Sequence, residues 1–382
     1  MANSTINIMY MIDLFEGRGG TENHLTYLVR YLDRERFSPC VVVFDLRPNR
    51  LVESIEEARI PVLHIPVGRY YTGNALAKAL VLRGVIREKK IDIVQTFHFK
   101  SDTYGAVAAH LAGVRHLVSS KRDTGDLKSR LHFFIHKYVN RYIDNYIFVA
   151  DAVGRIVIER EKITRGRFKT IYNGVDLKRF QPAAPEAVIG RRRELGIGAD
   201  DFVVGTVAWF RREKNYDVFF DAIESMSRKI KNIKVVVVGG DNLLEFYKAR
   251  IRKTGLQNHV LFAGPCDDVR RYLTVLDVAC LVPGRNEGFS NSILEKMATG
   301  LPLVVSRVGG NAEAIKHQYN GFVIPPNDSG ALADALLQLY RNPELRRTMG
   351  RRSRQRAEEK FSLRKMIRQH EEYYEEIMNG RS

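Results

Sequence analysis

Two α/β domains in tandem, each built on a parallel sheet, are what this sequence predicts, and three observations carry that expectation. Short β-branched runs alternate with longer amphipathic stretches, which is the pattern of repeated βαβ units. The alternation pauses once, at YNGVDLKRFQP and the polar, Pro- and Gly-containing stretch behind it, and then resumes. The chain has 382 residues with 45% hydrophobic content, more naturally two cores than one.

In the first half, strands are expected at 6–13, 40–44, 62–65, 91–97, 116–120 and 146–149, with helices at 22–36, 75–89 and 103–111. The boundary falls near Asn173. Beyond it, strands are expected at 202–209, 233–240, 260–264, 277–283, 301–306 and 321–325, and the chain from Ala331 reads as almost wholly helical. The division that follows is an N-terminal domain at 1–178, a C-terminal domain at 179–360, and a final helix at 361–382 packing back on the first domain.

Composition narrows the class. No run of eighteen apolar residues occurs, and MANSTINIMYMID lacks the regions of a signal peptide, so a soluble, cytoplasmic protein is expected. The cysteines, Cys40, Cys266 and Cys280, form no C-x-x-C pair and have no histidine nearby in sequence, which reads as reduced, buried thiols. Lys and Arg number 61 against 44 Asp and Glu, a formal charge of +17 that favours anionic partners.

The chemistry is expected in EGFSNSILEKMATGLPLVVSRVGGNAEAI, 287–315, which starts just past an apolar strand, where open α/β sheets bind ligands. Ser292 and Glu295 have capping-box spacing, so a helix should start near Ser290 or Asn291 and end at Gly300. Its N-terminus would suit a diphosphate. Glu287 and Glu295 would flank that position, one reaching a sugar and the other a ribose, because carboxylates accept hydrogen bonds from hydroxyls. In WFRREKN, Arg211 and Lys214 follow a strand and suit a pyrophosphate. Gly19 and Gly20 open a helix after the first strand, but G-x-G-G is not a dinucleotide fingerprint, which counts against a nicotinamide-dependent oxidoreductase. His98 ends the strand IDIVQTF, where its side chain would point into an interdomain cleft.

These residues resemble glycosyltransferase family 4, the retaining enzymes of GT-B fold, over nearly the whole chain. The resemblance rests on the E-x7-E pair Glu287 and Glu295, on MATGLPLVVSRVGGNAE and NGFVIPPND behind it, and on GRGGTE, YNGVDLKRF and the Arg211/Lys214 pair. It implies two Rossmann-like domains facing a cleft and transfer of a sugar from a nucleotide diphosphate sugar, UDP- or GDP-linked, to an acceptor hydroxyl with retention of configuration. It implies further that Glu295 holds the ribose and Glu287 faces the donor sugar. The backbone of Phe289, Ser290 and Asn291 would contact the diphosphate, Arg211 and Lys214 would neutralise it, Gly19 and Gly20 would face the phosphates, and His98 the sugar. Many members have Gly-Arg-Leu where this chain has Ala208-Trp209-Phe210, so Arg211 would have to stand in for the missing arginine. The resemblance also implies no cofactor and no metal; the sequence has no Asp-x-Asp pair to bridge a metal to a diphosphate.

The segment 119–146 interleaves Lys121, Arg122, Lys128, Arg130, Lys137 and Arg141 with Leu131, Phe133, Phe134, Ile135, Tyr138 and Val139. It can lie on an anionic membrane surface or pack its aromatics in a core. With the family's use of lipid-linked acceptors, it points to a peripheral protein of cell-envelope or exopolysaccharide synthesis acting on a lipid-linked or polysaccharide acceptor. RRTMGRRSRQR, 346–356, lacks interleaved aromatics and reads as a solvated helix face, not a nucleic-acid site. The rival readings are a sugar-nucleotide 2-epimerase, which should lack the EGFSNSILE spacing, and a silent sugar-nucleotide-binding scaffold, which should have lost Glu287, Lys214 or His98.

Overall fold

The computed structural model describes residues 5–67 and 75–380. The chain forms two compact units, one of Met1–Gly174 with Leu363–Ser382, the other of Val175–Ser362. Val175 donates its N–H to Phe361 O at 2.8 Å and pairs with Ser362 in an isolated parallel bridge, so the chain enters and leaves the second unit side by side. The break therefore lies at Gly174/Val175, not 178/179.

The first unit runs β1 (Ile6–Phe15), α1 (Gly20–Tyr31), β2 (Phe37–Leu46), α2 (Arg50–Glu57), β3 (Val62–His64), α3 (Ala75–Glu88), β4 (Ile93–Thr96), α4 (Phe99–Ala112), β5 (His116–Lys121), α5 (Arg130–Val139), β6 (Asn145–Phe148), α6 (Asp151–Arg160) and β7 (Arg167–Thr170). Its seven strands pair in parallel in the order β3-β2-β1-β4-β5-β6-β7. Strands covered on both faces read as continuous apolar runs, and Ile8, Met9, Tyr10, Met11 and Ile12 are all buried. The helix expected to reach residue 36 stops at Tyr31 instead. Arg36 and Phe37 both donate to Asp33 O, and that turn starts β2 at Phe37, whose ring is buried in the core.

The second unit runs α7 (Pro185–Glu194), β8 (Phe202–Val207), a 3-10 turn (Arg212–Lys214), α8 (Tyr216–Ser227), β9 (Ile233–Val238), α9 (Leu244–Lys253), β10 (Val260–Gly264), α10 (Arg270–Leu273), β11 (Val278–Leu281), α11 (Asn291–Ala298), β12 (Leu303–Ser306), α12 (Asn311–Ala314), β13 (Gly321–Ile324), α13 (Ser329–Arg341) and α14 (Pro343–Lys360). Its six strands are again parallel, in the order β10-β9-β8-β11-β12-β13.

The last helix, α15 (Leu363–Met378), belongs to the first unit. Leu363, Met366, Ile367, Tyr373, Tyr374 and Ile377 recur at helical spacing and are buried in that unit's core. Tyr374 donates to Gln95 Oε1 at 2.6 Å and accepts from Tyr10 at 3.1 Å, which ties the helix to two central strands.

Two expectations about basic clusters change. Lys121 and Arg122 do not belong to a surface stripe: Lys121 is buried in β5 between Asp102 and Glu161, and Lys128 is bound to Glu161 at 2.6 Å. Nor is 346–356 simply a solvated face. Arg346 donates to Leu339 O, Arg354 to Ala298 O, and Arg356 to Ala314 O and Glu313 O. These three arginines of α14 thus satisfy the carbonyl ends of α13, α11 and α12, where the helix dipole favours a cation. Of the cysteines, Cys40 and Cys280 are buried, while Cys266 is half-buried with its thiol 3.2 Å from Asp268 O.

Candidate functional site

In the second sheet the strand order reverses between β8 and β11. At such a switch point the loops leaving two neighbouring strands diverge and open a crevice at their carboxyl ends. The loop after β8 carries Arg211 and Lys214, and the loop after β11 carries Glu287. Lys214 Nζ and Glu287 Oε2 lie 2.6 Å apart across that crevice, both largely shielded from water. Gly284 N donates to Glu213 O at 2.9 Å, which holds the two loops together through their backbones as well. Gly309, at φ +52°, lies so close to this loop that a Cβ there would sit 1.8 Å from Glu287 O, and Gly310 N donates to Gly288 O at 2.7 Å. A glycine is therefore needed at 309 to seat the Glu287 loop.

Ser290 is the N-cap of α11, and no side chain caps its first turn. The capping box expected of Ser292 and Glu295 does not form. Because Ser290 is the N-cap, Ser292 lies two positions too late, and its hydroxyl donates to Val207 O at 2.7 Å instead. Phe289 is buried against the ring of Phe361 at 5.3 Å, anchoring the loop where it enters the helix. Glu295 is half-buried, and no hydrogen bond to its carboxylate occurs among the described residues. Burial pushes that carboxyl up to about 7, although Lys296 and Arg179 pull the other way.

Arg211 is not brought to this pair. Its guanidinium is half exposed and 3.5 Å from Asp241, while Phe210 is buried and stacked on Tyr216 at 4.2 Å. The residue the sequence did not single out is Lys296. Fully buried, it donates to Ser292 Oγ at 2.7 Å, with Val207 O and Cys280 O each at 3.5 Å. Burial lowers its ammonium to about 8, against the pull of Glu295. Its only signal in sequence was a lysine one helical turn after Ser292.

In the first sheet the order reverses between β1 and β4. The glycine turn follows β1 and His98 follows β4, so both sit at that switch point. Glu22 accepts from Gly17 N at 2.5 Å and Arg18 N at 2.9 Å, so these two turn amides already hold an internal carboxylate. Gly19 is the N-cap of α1 and Gly20 its first residue. His98 is the N-cap of α4; Ser101 Oγ accepts from its N–H at 2.9 Å, and its Nδ1 is buried with no partner.

On and before α5, some of the segment's apolar side chains are exposed and others are not. Leu131, Phe134 and Tyr138 of α5 are 46%, 59% and 45% exposed, and their spacing of three and four places them along one side of the helix; Leu127, in the turn before it, is 67% exposed. Arg130, Lys137 and Arg141 are exposed with them, whereas Val139 is buried and Phe133 and Ile135 are half-buried. No helix among the described residues is long and apolar enough to cross a membrane.

Residues 190–356 match the family model described as Glycosyl transferases group 1, and residues 18–179 match Glycosyltransferase Family 4. A putative glycosyltransferase, EpsD, of Bacillus subtilis is 32% identical over 50% of this chain and 50% of its own. An Escherichia coli enzyme named UDP-Gal:alpha-D-GlcNAc-diphosphoundecaprenol alpha-1,3-galactosyltransferase is 29% identical over 69% of this chain and 70% of its own. The match thus spans about half the length of the first of these relatives. Among solved structures, Anabaena HepE in complex with UDP superposes with a TM-score of 0.85 over 97% of this chain and 100% of that one, at 23% identity. That likeness shows the same two-domain GT-B fold. On the two family matches, one in each unit, the chain belongs to the group 1, family 4 glycosyltransferases.

Proposed function

We propose that this protein is a retaining glycosyltransferase that moves a sugar from a UDP- or GDP-sugar to a hydroxyl of a lipid-linked or polysaccharide acceptor in cell-envelope or exopolysaccharide synthesis. The observation that carries the reading is the Lys214–Glu287 pair at the second unit's switch point, beside a helix that begins uncapped and a carboxylate, Glu295, without a partner. The E. coli relative's name specifies a UDP-sugar and a diphosphate-linked lipid acceptor, and HepE has also been solved with UDP-glucose. Both support the donor class.

In this reading Glu295 accepts from the ribose hydroxyls, which replaces the partner it lacks. The start of α11, with the backbone of Phe289, Ser290 and Asn291, receives the diphosphate. Lys214 is held by Glu287 within reach of the same phosphates, where charge builds as the nucleotide departs. Glu287 faces the donor sugar, and Arg211 serves only by swinging away from Asp241. Gly19 and Gly20 face the donor phosphates and the acceptor, and His98 faces the donor sugar. The bond from the anomeric carbon to the diphosphate oxygen breaks and the acceptor oxygen bonds on the same face. The acceptor's proton passes to the departing phosphate, so no carboxylate need act as nucleophile. Positive side chains and a helix terminus supply the charge that a metal would, so activity should persist in EDTA.

The exposed apolar row of α5, flanked by Arg130, Lys137 and Arg141, would seat the protein peripherally on an anionic bilayer at the cytoplasmic face. The test is incubation with UDP- and GDP-hexoses and vesicles carrying an undecaprenyl diphosphate-linked sugar, with and without EDTA. Expected is a product with the donor's anomeric configuration, formed equally in EDTA, and vesicle flotation that Phe134→Ser with Lys137→Gln abolishes. Inverted configuration overturns the retaining mechanism, and no transfer from any donor although nucleotide binds overturns the reading in favour of a binding scaffold.

A further inference from the structure

The first unit carries a buried cation that nothing on the described chain neutralises. Arg122 follows directly on β5, which pairs in parallel with β4, the strand before His98, so both residues lie at the carboxyl edge of the first sheet. Its Nη2 donates to Asn173 Oδ1, which orients the guanidinium. Nε and Nη1 are buried and make no hydrogen bond.

No carboxylate pairs with Arg122 among the described residues, although Lys121, the residue before it, has Asp102 and Glu161 each at 2.8 Å. The titratable groups that feel the Arg122 charge are His24 of α1 and His370 of α15. Burial, reinforced by Arg122, holds His24 well below the usual histidine range, and burial takes His370 to about 4, so neither offers a counter-charge. A buried cation with open N–H groups is costly unless something completes it. Either open N–H can donate to an oxygen of an oxyanion. The buried, unpartnered Nδ1 of His98 on the neighbouring strand is a second polar atom left open at the same edge.

We propose that Arg122, oriented by Asn173, anchors a phosphate group carried by the acceptor, an assignment that rests on the glycosyl-transfer reading above. The acceptor class is thereby a phosphorylated or diphosphate-linked glycan carrier, not a neutral polysaccharide. The structure also gives a reason why the chain tolerates an uncompensated buried arginine: the substrate is its counter-ion.

The test is thermal unfolding of the full chain with inorganic pyrophosphate at constant ionic strength, run with and without saturating UDP. Wild type, Arg122→Gln, Arg122→Lys and Lys214→Ala are compared. Expected is a stabilisation by pyrophosphate that adds to that of UDP, is kept in Lys214→Ala, and weakens by roughly tenfold or more in apparent affinity in both Arg122 variants. The Arg122 variants should keep the UDP response, which shows that they are folded. A pyrophosphate response unchanged in Arg122→Lys and Arg122→Gln overturns the proposal. So does a response that vanishes once UDP saturates, because the anion would then have been occupying the nucleotide's phosphate site. A wild type that responds to pyrophosphate through Arg122 but not to any nucleotide would count against the donor site, not against this anchor.

Discussion

Lys121, the last residue of β5, and Lys296, in α11 with its ammonium against β8 and β11, are both buried lysines, one in each unit, yet their surroundings are opposite. Lys121 lies 2.8 Å from each of two carboxylates, and although burial alone would lower its ammonium, Asp102 and Glu161 hold it above the usual range. Burial works against those carboxylates too, yet Lys121 keeps both below theirs, and His136 adds a contact to Glu161 at 2.9 Å. Lys296 finds only a hydroxyl and two carbonyl oxygens, and its ammonium falls to about 8 while its neighbour Glu295 rises to about 7. The first cluster is complete without a ligand and pins α4, β5, α5 and α6 together. The second is left in tension beside an open crevice, which is how binding sites differ from structural ion pairs.

The sharpest way to break that contrast is to remove each lysine. Lys121→Met leaves Asp102 and Glu161 buried without their cation and should cost about 3–5 kcal/mol in urea unfolding. A loss below about 1 kcal/mol would mean the cluster is not the closed unit described.

Next in size is a pH effect at Glu295. Its carboxyl is raised from 4.5 to about 7 on folding. The unfolded chain therefore releases this proton first, and the stability given by the neutral form is present below about pH 4.5 and lost as pH rises through about 7. Glu295→Gln removes that loss. The difference in unfolding free energy, variant minus wild type, should grow in the variant's favour between those limits and level off above, at no more than about 3 kcal/mol. A difference that is flat with pH would refute the buried, unpartnered carboxyl.

The smallest effect is expected for Lys296→Met, within about 1 kcal/mol of wild type, since an unpaired buried charge is replaced by an apolar chain of similar size. Ser292 keeps its bond to Val207 O in that variant. A cost as large as that of Lys121→Met would erase the difference between the two units.

The strands of both sheets except β7 were legible in the sequence because β-branched runs survive without knowledge of partners, whereas the strand order, and with it the two switch points, was not. Glu287, Glu295 and Lys214 were legible for the same reason: each follows directly on a readable strand or opens a readable helix. What could not be read were contacts set by residues far apart. Nothing near Lys128 announces Glu161, and nothing in RRTMGRRSRQR says that Arg354 and Arg356 end on the carbonyls of α11 and α12. The capping box failed on a shift of helix start: with Ser290 as N-cap, the residue three positions on is Ile293, not Glu295. Phe133 and Phe134 are adjacent in a helix and so cannot share a face, yet periodicity alone does not say which of them turns outward.

The donor site in the second unit is tested most directly by nucleotide-induced stabilisation, measured without divalent metal for UDP, GDP and ADP on wild type and Glu295→Ala. A nucleotide at about 100 times its dissociation constant should stabilise wild type by about 2.7 kcal/mol, and the variant should lose most of that shift at the same concentration. Stabilisation of equal size in wild type and Glu295→Ala, or none with any nucleotide, would contradict the placement of the donor beside Glu295 and Lys214.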